Sequence, residues 1–210
     1  MSNRTSKRPG DRPKDRLHRK QDDQASAYAS PWTLRERLGV ALFAITWTVS
    51  CRWTPNPANA WRLLILRLFG CRITGRPYVA GSCRIRVPWQ LELHDRACLG
   101  PNSEVYNLGE CVLRARCTIA QGTYLCGGSH DLSVPTLPLI VGPIDVGEDA
   151  FIGARAFIMP GVTIGEGAVI GAAAVAVRDA KPWTVTVGNP GNQIAMRKFD
   201  RPSTDTGDEG

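Results

Sequence analysis

The fold this sequence predicts is mainly β: a parallel solenoid preceded by helices. Three observations predict it. From Ile73 onward a large aliphatic residue recurs every six positions, a small residue takes the fifth place of most hexads, and glycine and Asx-type residues gather where tight bends are needed. No amphipathic helix has a period of six. The strict alternation and two-residue turns of a hairpin sandwich are largely missing. A triangular coil accounts for the pattern: each side is a short strand that turns one aliphatic side chain inward, and each corner is a bend next to a small residue.

The elements follow in order. Residues 1–29 are rich in Arg, Lys, Asp, Gln and Ser with little to bury, and are expected to form a solvated basic tail. Ser30-Pro31 supplies a cap and a first-turn proline, so residues 30–72 are read as a helical segment. Its first helix carries Trp32, Leu34, Leu38, Leu42 and Ile45, and Pro55-Asn56-Pro57 breaks it. Asn59 is expected to cap a second helix through Trp61, Leu64, Leu68 and Phe69, closed by Gly70. Residues 73–199 form the solenoid. Its hexads open at Ile73, Val79 and Ile85, then in shifted frames at Leu93, Leu99 and Val105, at Leu113, Ile119 and Leu125, and from Val146 through Ile152, Ile158 and Ile164 to Ile170. Pro77 and Trp89 break the small-residue rule. Leu132 to Pro143 departs from the period, contains three prolines and reads as a projecting loop. Residues 200–210 form an acidic tail.

Charge narrows the function classes. The chain carries a net charge of +7 over 210 residues, which invites a nucleic-acid reading. The excess lies in the first 72 residues, while 73–199 is close to neutral, so the folded domain offers no basic groove. Tyr28 is the only aromatic of the basic tail, and a nucleic-acid partner is therefore not expected. Seven cysteines form no C-x-x-C pair, and the first 30 residues hold no apolar signal segment, so a reducing cytoplasm is the expected location. Leu38 to Cys51 is too short an uncharged run to span a bilayer. Arginines beside Trp32, Trp47, Trp53 and Trp61 suggest weak peripheral contact of 30–72 with an anionic membrane. The alternative is that these helices simply cap the solenoid.

Tyr106-Asn107, the run Gln121 to Asp131 with Gly127-Gly128-Ser129-His130-Asp131, Pro160 to Gly165 and Gly188-Asn189-Pro190 carry a resemblance. From about Pro31 to Lys198 the chain resembles the hexapeptide-repeat acyltransferases, most of all the colanic acid biosynthesis and the maltose or galactoside O-acetyltransferases. The resemblance implies a left-handed parallel β-helix, a homotrimer with sites between subunits, acetyl-coenzyme A as co-substrate and a saccharide acceptor.

It also implies roles. His130 matches the family's general base, since a neutral imidazole can take the acceptor hydroxyl's proton during attack on the thioester. Asn107 matches a residue that contacts the acceptor. Asp131, grouped with Asn107 on the acceptor side, either orients His130 or caps the loop. Gly153, Ala154, Gly171 and Ala172 match the groove for coenzyme A, and Arg178 stands where relatives often have a lysine near the phosphates. Val177, Phe151 and Asn192 depart from common family residues, which implies altered contacts. No metal is expected: with His18 in the tail, two histidines are too few for a three-imidazole zinc site. A non-catalytic trimeric scaffold or binding module is the remaining alternative, because the aliphatic ladder is structural whatever the function.

Overall fold

A computed structural model describes residues 16–20 and 31–198. The expected tail 200–210, and residues 1–15 and 21–29 of the basic tail, lie outside the described residues. Three parallel sheets form the sides of a β-solenoid, and the six-residue period becomes three vertical columns. Ile73, Leu93, Leu113, Val146 and Ile164 stack on the first face. Val79, Leu99, Ile119, Ile152 and Ile170 stack on the second, and Ile85, Val105, Leu125 and Ile158 on the third. From Leu93 to Ile170 every member of a column is at most 1% exposed. At about 1.5–3 kcal/mol for each buried aliphatic side chain, these columns are the main source of the domain's stability.

The frame shifts have a structural cause. Measured along the first face, the coils run 20, 20, 33 and then 18 residues. Eighteen is three hexads. The additions all fall at the corner between the third face and the first: Val87 to Gln90, then Asn107 to Gly109, then the excursion from Gly127 to Pro143. Trp89, an exception to the small-residue rule, sits at the lowest of these corners under the helices. A Cβ on Gly39 would come within 3.1 Å of its ring.

Helix α1 (Leu34–Ser50) starts three residues later than Ser30-Pro31 suggested. Thr33 is the cap: its hydroxyl accepts from the Glu36 amide at 3.2 Å while the Glu36 carboxylate accepts from the Thr33 amide at 2.8 Å. This reciprocal pair satisfies two donors that a bare helix start leaves open. Helix α2 (Asn59–Leu68) has no side-chain cap. Asn59 instead grips the first coil, donating to the Pro77 carbonyl at 2.8 Å and accepting from the Val79 amide at 3.0 Å. Phe43 and Trp47 bury the inner side of α1 against Phe69, and the Trp47 indole donates to the Cys83 carbonyl at 2.9 Å. Trp47 is therefore core, and Trp32 packs half-buried on Leu108, Leu139 and Val141; only Trp53 and Trp61 face outward. Arg62 is wholly buried, its guanidinium donating to Thr54 Oγ1, Pro55 O and Asn56 O.

The larger correction concerns the basic tail. His18–Arg19 is a strand, paired antiparallel with Ile140 and Val141 of the excursion. Its side chains anchor it on both sides: Arg19 meets Asp131 at 2.7 Å, Lys20 meets Glu36 at 3.0 Å, and Arg16 reaches Thr163 and Asp179. Leu17 covers Gly142 and Gly161. Composition hid this short strand because it adds backbone pairing and ion pairs rather than apolar bulk.

Candidate active site

The excursion is a hairpin rather than an irregular loop. Gly128–His130 pairs antiparallel with Leu139–Val141, and His18–Arg19 forms the third strand. The hairpin leaves the third face after Cys126 and returns before Ile144, with Gly127 donating to the Tyr106 carbonyl one coil below. His130 ends its first strand and is exposed.

The His130 Nδ1 lies 2.7 Å from the Leu137 carbonyl oxygen. A carbonyl only accepts, so Nδ1 carries the proton and the neutral ring presents a bare Nε2 lone pair. Leu137 has φ 46°, the left-handed region that a branched side chain enters at a cost. Its turn, closed by the Leu137 amide on Val134 O at 2.9 Å, aims that carbonyl at the imidazole.

Asp131 does not touch His130. It accepts from the Ser133 amide at 3.0 Å, from Ser133 Oγ at 2.5 Å and from Arg19 at 2.7 Å. Ser133 first and then Arg19 hold its carboxyl down to about 2. Asp131 thus fastens the hairpin turn to the N-terminal strand.

Asn107 stands one coil below the hairpin's base and is 1% exposed. Its amide oxygen accepts from the Val87 N–H at 3.0 Å and its nitrogen donates to the Val87 carbonyl at 2.7 Å. Both ends are spent on the widened corner, so in this chain the residue fixes the seat of the hairpin.

Gly153-Ala154 and Gly171-Ala172 occupy successive levels of the corner between the second and third faces, as the pairing of Ile152 with Ile170 requires. A Cβ on Gly153 would meet the Ala172 amide at 2.5 Å, so glycine is needed for the backbones to approach this closely. The Gly153 and Gly171 amides donate to Ile170 O and Thr186 O. Arg178 is exposed and lies beyond Val175–Ala176, across the third face from the glycine corner. Within one chain, then, the glycine corner and His130 flank opposite edges of the third face, and Arg178 stands on the His130 side.

Two features escaped the sequence reading. Tyr106, Tyr124 and Phe157 form an aromatic ladder on the outside of that face, with Tyr124 and Phe157 stacked at 5.0 Å. Their spacings of 18 and 33 residues become meaningful only once coil lengths are known. A groove of about 330 Å³, lined by Trp32, Arg37, Val40, Ala41, Ala44 and Arg86, runs between α1 and the solenoid. Trp32 links it to the hairpin through Leu139, the residue paired with His130.

Cys126, beside the hairpin, is half-buried with its thiol 3.0 Å from the Gly128 carbonyl, and burial pushes the thiol up. That environment opposes a thiolate nucleophile. Among the described residues no group of three or more His, Cys, Asp or Glu side chains is arranged to hold a metal ion, and no helix is long and apolar enough to cross a membrane.

Comparison with known proteins agrees with the fold. Residues 143–175 match the family described as the hexapeptide repeat of succinyl-transferase. WcaF of Escherichia coli K12, provisionally named a colanic acid biosynthesis acetyltransferase, is 37% identical over 145 residues, 69% of this chain and 80% of WcaF. The chain belongs to the hexapeptide-repeat acetyltransferases. Among solved members of this fold, the hexapeptide-repeat acetyltransferase VCA0836 of Vibrio cholerae superposes with a TM-score of 0.73 at 19% identity, covering 80% of this chain and 95% of the other. Its complex with acetyl coenzyme A gives 0.70 at 20% identity, covering 79% and 88%. A maltose O-acetyltransferase of Clostridium difficile 630 gives 0.64 at 21% identity, covering 80% and 90%. At these identities the structural likenesses establish this acetyltransferase's fold alone.

Proposed function

We propose that this acetyltransferase moves an acetyl group from acetyl-coenzyme A to a hydroxyl of a saccharide, in the synthesis of a surface or extracellular polysaccharide. The orientation of His130 carries the reading. With Nδ1–H held by the Leu137 carbonyl, Nε2 is free to take the proton of an acceptor hydroxyl as its oxygen attacks the thioester carbon. The tetrahedral intermediate then expels the coenzyme A thiolate, which receives the proton from the imidazolium. No acyl-enzyme is formed, in keeping with the half-buried Cys126 thiol, which burial keeps protonated. The WcaF relationship and the VCA0836 complex with acetyl coenzyme A support the donor and the acceptor class.

Because the glycine corner and His130 lie at opposite edges of one face, a complete site is assigned to two copies of the chain, in a trimer. One supplies the groove of Gly153, Ala154, Gly171 and Ala172, with Arg178 toward the phosphates, and the next supplies His130. Asn107 and Asp131 act on the acceptor indirectly, by holding the hairpin. The acceptor is placed in the groove of Arg37 and Arg86, whose guanidinium groups suit hydroxyl and carboxylate oxygens.

The test is release of free thiol from acetyl-coenzyme A by purified protein against a panel of mono- and oligosaccharides, neutral and acidic. Acceptor-dependent release supports the reading. Binding of acetyl-coenzyme A without release to any sugar, or transfer only to amines, would overturn it.

A further inference from the structure

One broad surface has no place in that chemistry. Leu34, Leu38, Leu42, Ile45 and Val49 on α1 are each 59–76% exposed. At about 100° per residue they form one stripe roughly 80° wide, opposite the buried Phe43 and Trp47. Helix α1 is thus apolar on both sides, one clamped to the solenoid and the other bare. Beyond its end Trp53 is 79% exposed, and Leu64 and Leu68 of α2 extend the apolar surface at 45% and 72%. The Trp61 indole donates to Ser50 O at 3.0 Å, tying α2 to the end of α1. A contiguous apolar surface of this kind marks an interaction site.

The charges around it identify the occupant. Arg35 lies beside the stripe, and Arg52 and Arg67 stand near its far end, all exposed. The only acid in either helix, Glu36, is engaged by Lys20 and by its own cap. Residues 1–15 add five basic residues against two acidic ones. A second copy meeting this face across a two-fold axis would set arginine against arginine with no carboxylate between them. A bilayer surface rich in anionic lipid satisfies both features, since acyl chains accept the leucine stripe and headgroups accept the guanidinium groups.

We propose that α1 and the outer side of α2 lie in the interface of an anionic membrane, with the outer stripe of α1 and Trp53 inserted and the solenoid standing above. Arg62 takes no part, because its guanidinium is spent on the connector carbonyls.

Flotation of the full chain with vesicles of phosphatidylcholine alone, or mixed with phosphatidylglycerol, tests this. The expected result is binding to the mixed vesicles, about tenfold weaker in high salt, and little binding to phosphatidylcholine. Leu38→Asp combined with Ile45→Asp should weaken binding more than about tenfold, because two inserted side chains become charged. Arg35→Gln with Arg52→Gln leaves the packed side of α1 alone and should remove the preference for anionic lipid. Circular dichroism confirms that each variant is folded. No flotation by the parent, or unchanged flotation by the leucine–isoleucine variant, overturns the proposal. So does a parent that stays off the vesicles while the same substitutions lower its mass by light scattering, which would assign the face to a second copy.

Discussion

Two corners of the solenoid are built from opposite materials. The corner between the second and third faces repeats itself: Gly153-Ala154 and Gly171-Ala172 stack at successive levels, and each glycine lets one backbone approach the next. The corner between the third face and the first never repeats. It carries Trp89 at one level, Asn107 at the next and a hairpin at the third. The repeated corner is suited to a long, extended ligand, because what one level offers the next offers again. The varied corner places single side chains, each held by its own hydrogen bonds. The proposed base stands where the repeat is broken.

Substitutions at the varied corner put that contrast to the test. The largest effect is expected at the varied corner's tip, where His130→Ala should lower acceptor-dependent thiol release by about 10²–10⁴-fold with the melting temperature unchanged. Equal activity in the variant would remove the base from the mechanism.

Next comes Asn107→Ala, which strands both the amide and the carbonyl of Val87 in the interior. A loss of about 2–4 kcal/mol of unfolding free energy in denaturant titration is expected. A variant of parental stability with a raised acceptor KM would return Asn107 to direct substrate contact.

Smaller is the effect of Arg19→Ala, which frees the N-terminal strand from Asp131. A drop in kcat of about threefold to tenfold is expected, with KM for acetyl-coenzyme A unchanged, because the hairpin loses an anchor while the groove does not. The linkage has a direction in pH. Asp131 is held below the ordinary carboxylate value, so its contribution is present above about pH 4 and lost as pH falls through about 2. Hydrogen exchange of the hairpin should therefore show the Arg19–Asp131 tie intact at pH 5, and an Asp131→Asn variant should lack it there.

Smallest of all is Cys126→Ser, expected to leave turnover within about twofold of the parent. Loss of activity, or an acetylated Cys126 seen by mass spectrometry, would reinstate a covalent route.

The columns were legible in the sequence because a six-residue period translates directly into a side of the coil, and Leu93, Leu99 and Val105 landed in register as the hexads required. The interruption near His130 was legible for the same reason, since a break stands out against a period. What the sequence hid were pairings across the coil. The partner of Asn107 is Val87, one full level below, and nothing in the local residues points there. Nor does the sequence mark Arg62 as buried, because arginine is normally solvated, whereas here the Thr54 to Asn56 connector replaces water around it. Thr33 and Glu36 did spell a capping box, but the nearby Ser30-Pro31 drew the helix start three residues early.

The short strand His18–Arg19 bears on how the protein is handled. Trimming a basic leader of twenty residues is an ordinary step toward crystals, and here it would strip the outer strand from the hairpin sheet. The Leu139–Val141 edge would be left with unpaired peptide groups, open to any passing strand. A protein shortened at residue 21 is thus expected to clump through the very hairpin that carries His130, whereas one shortened at residue 15 keeps its guard.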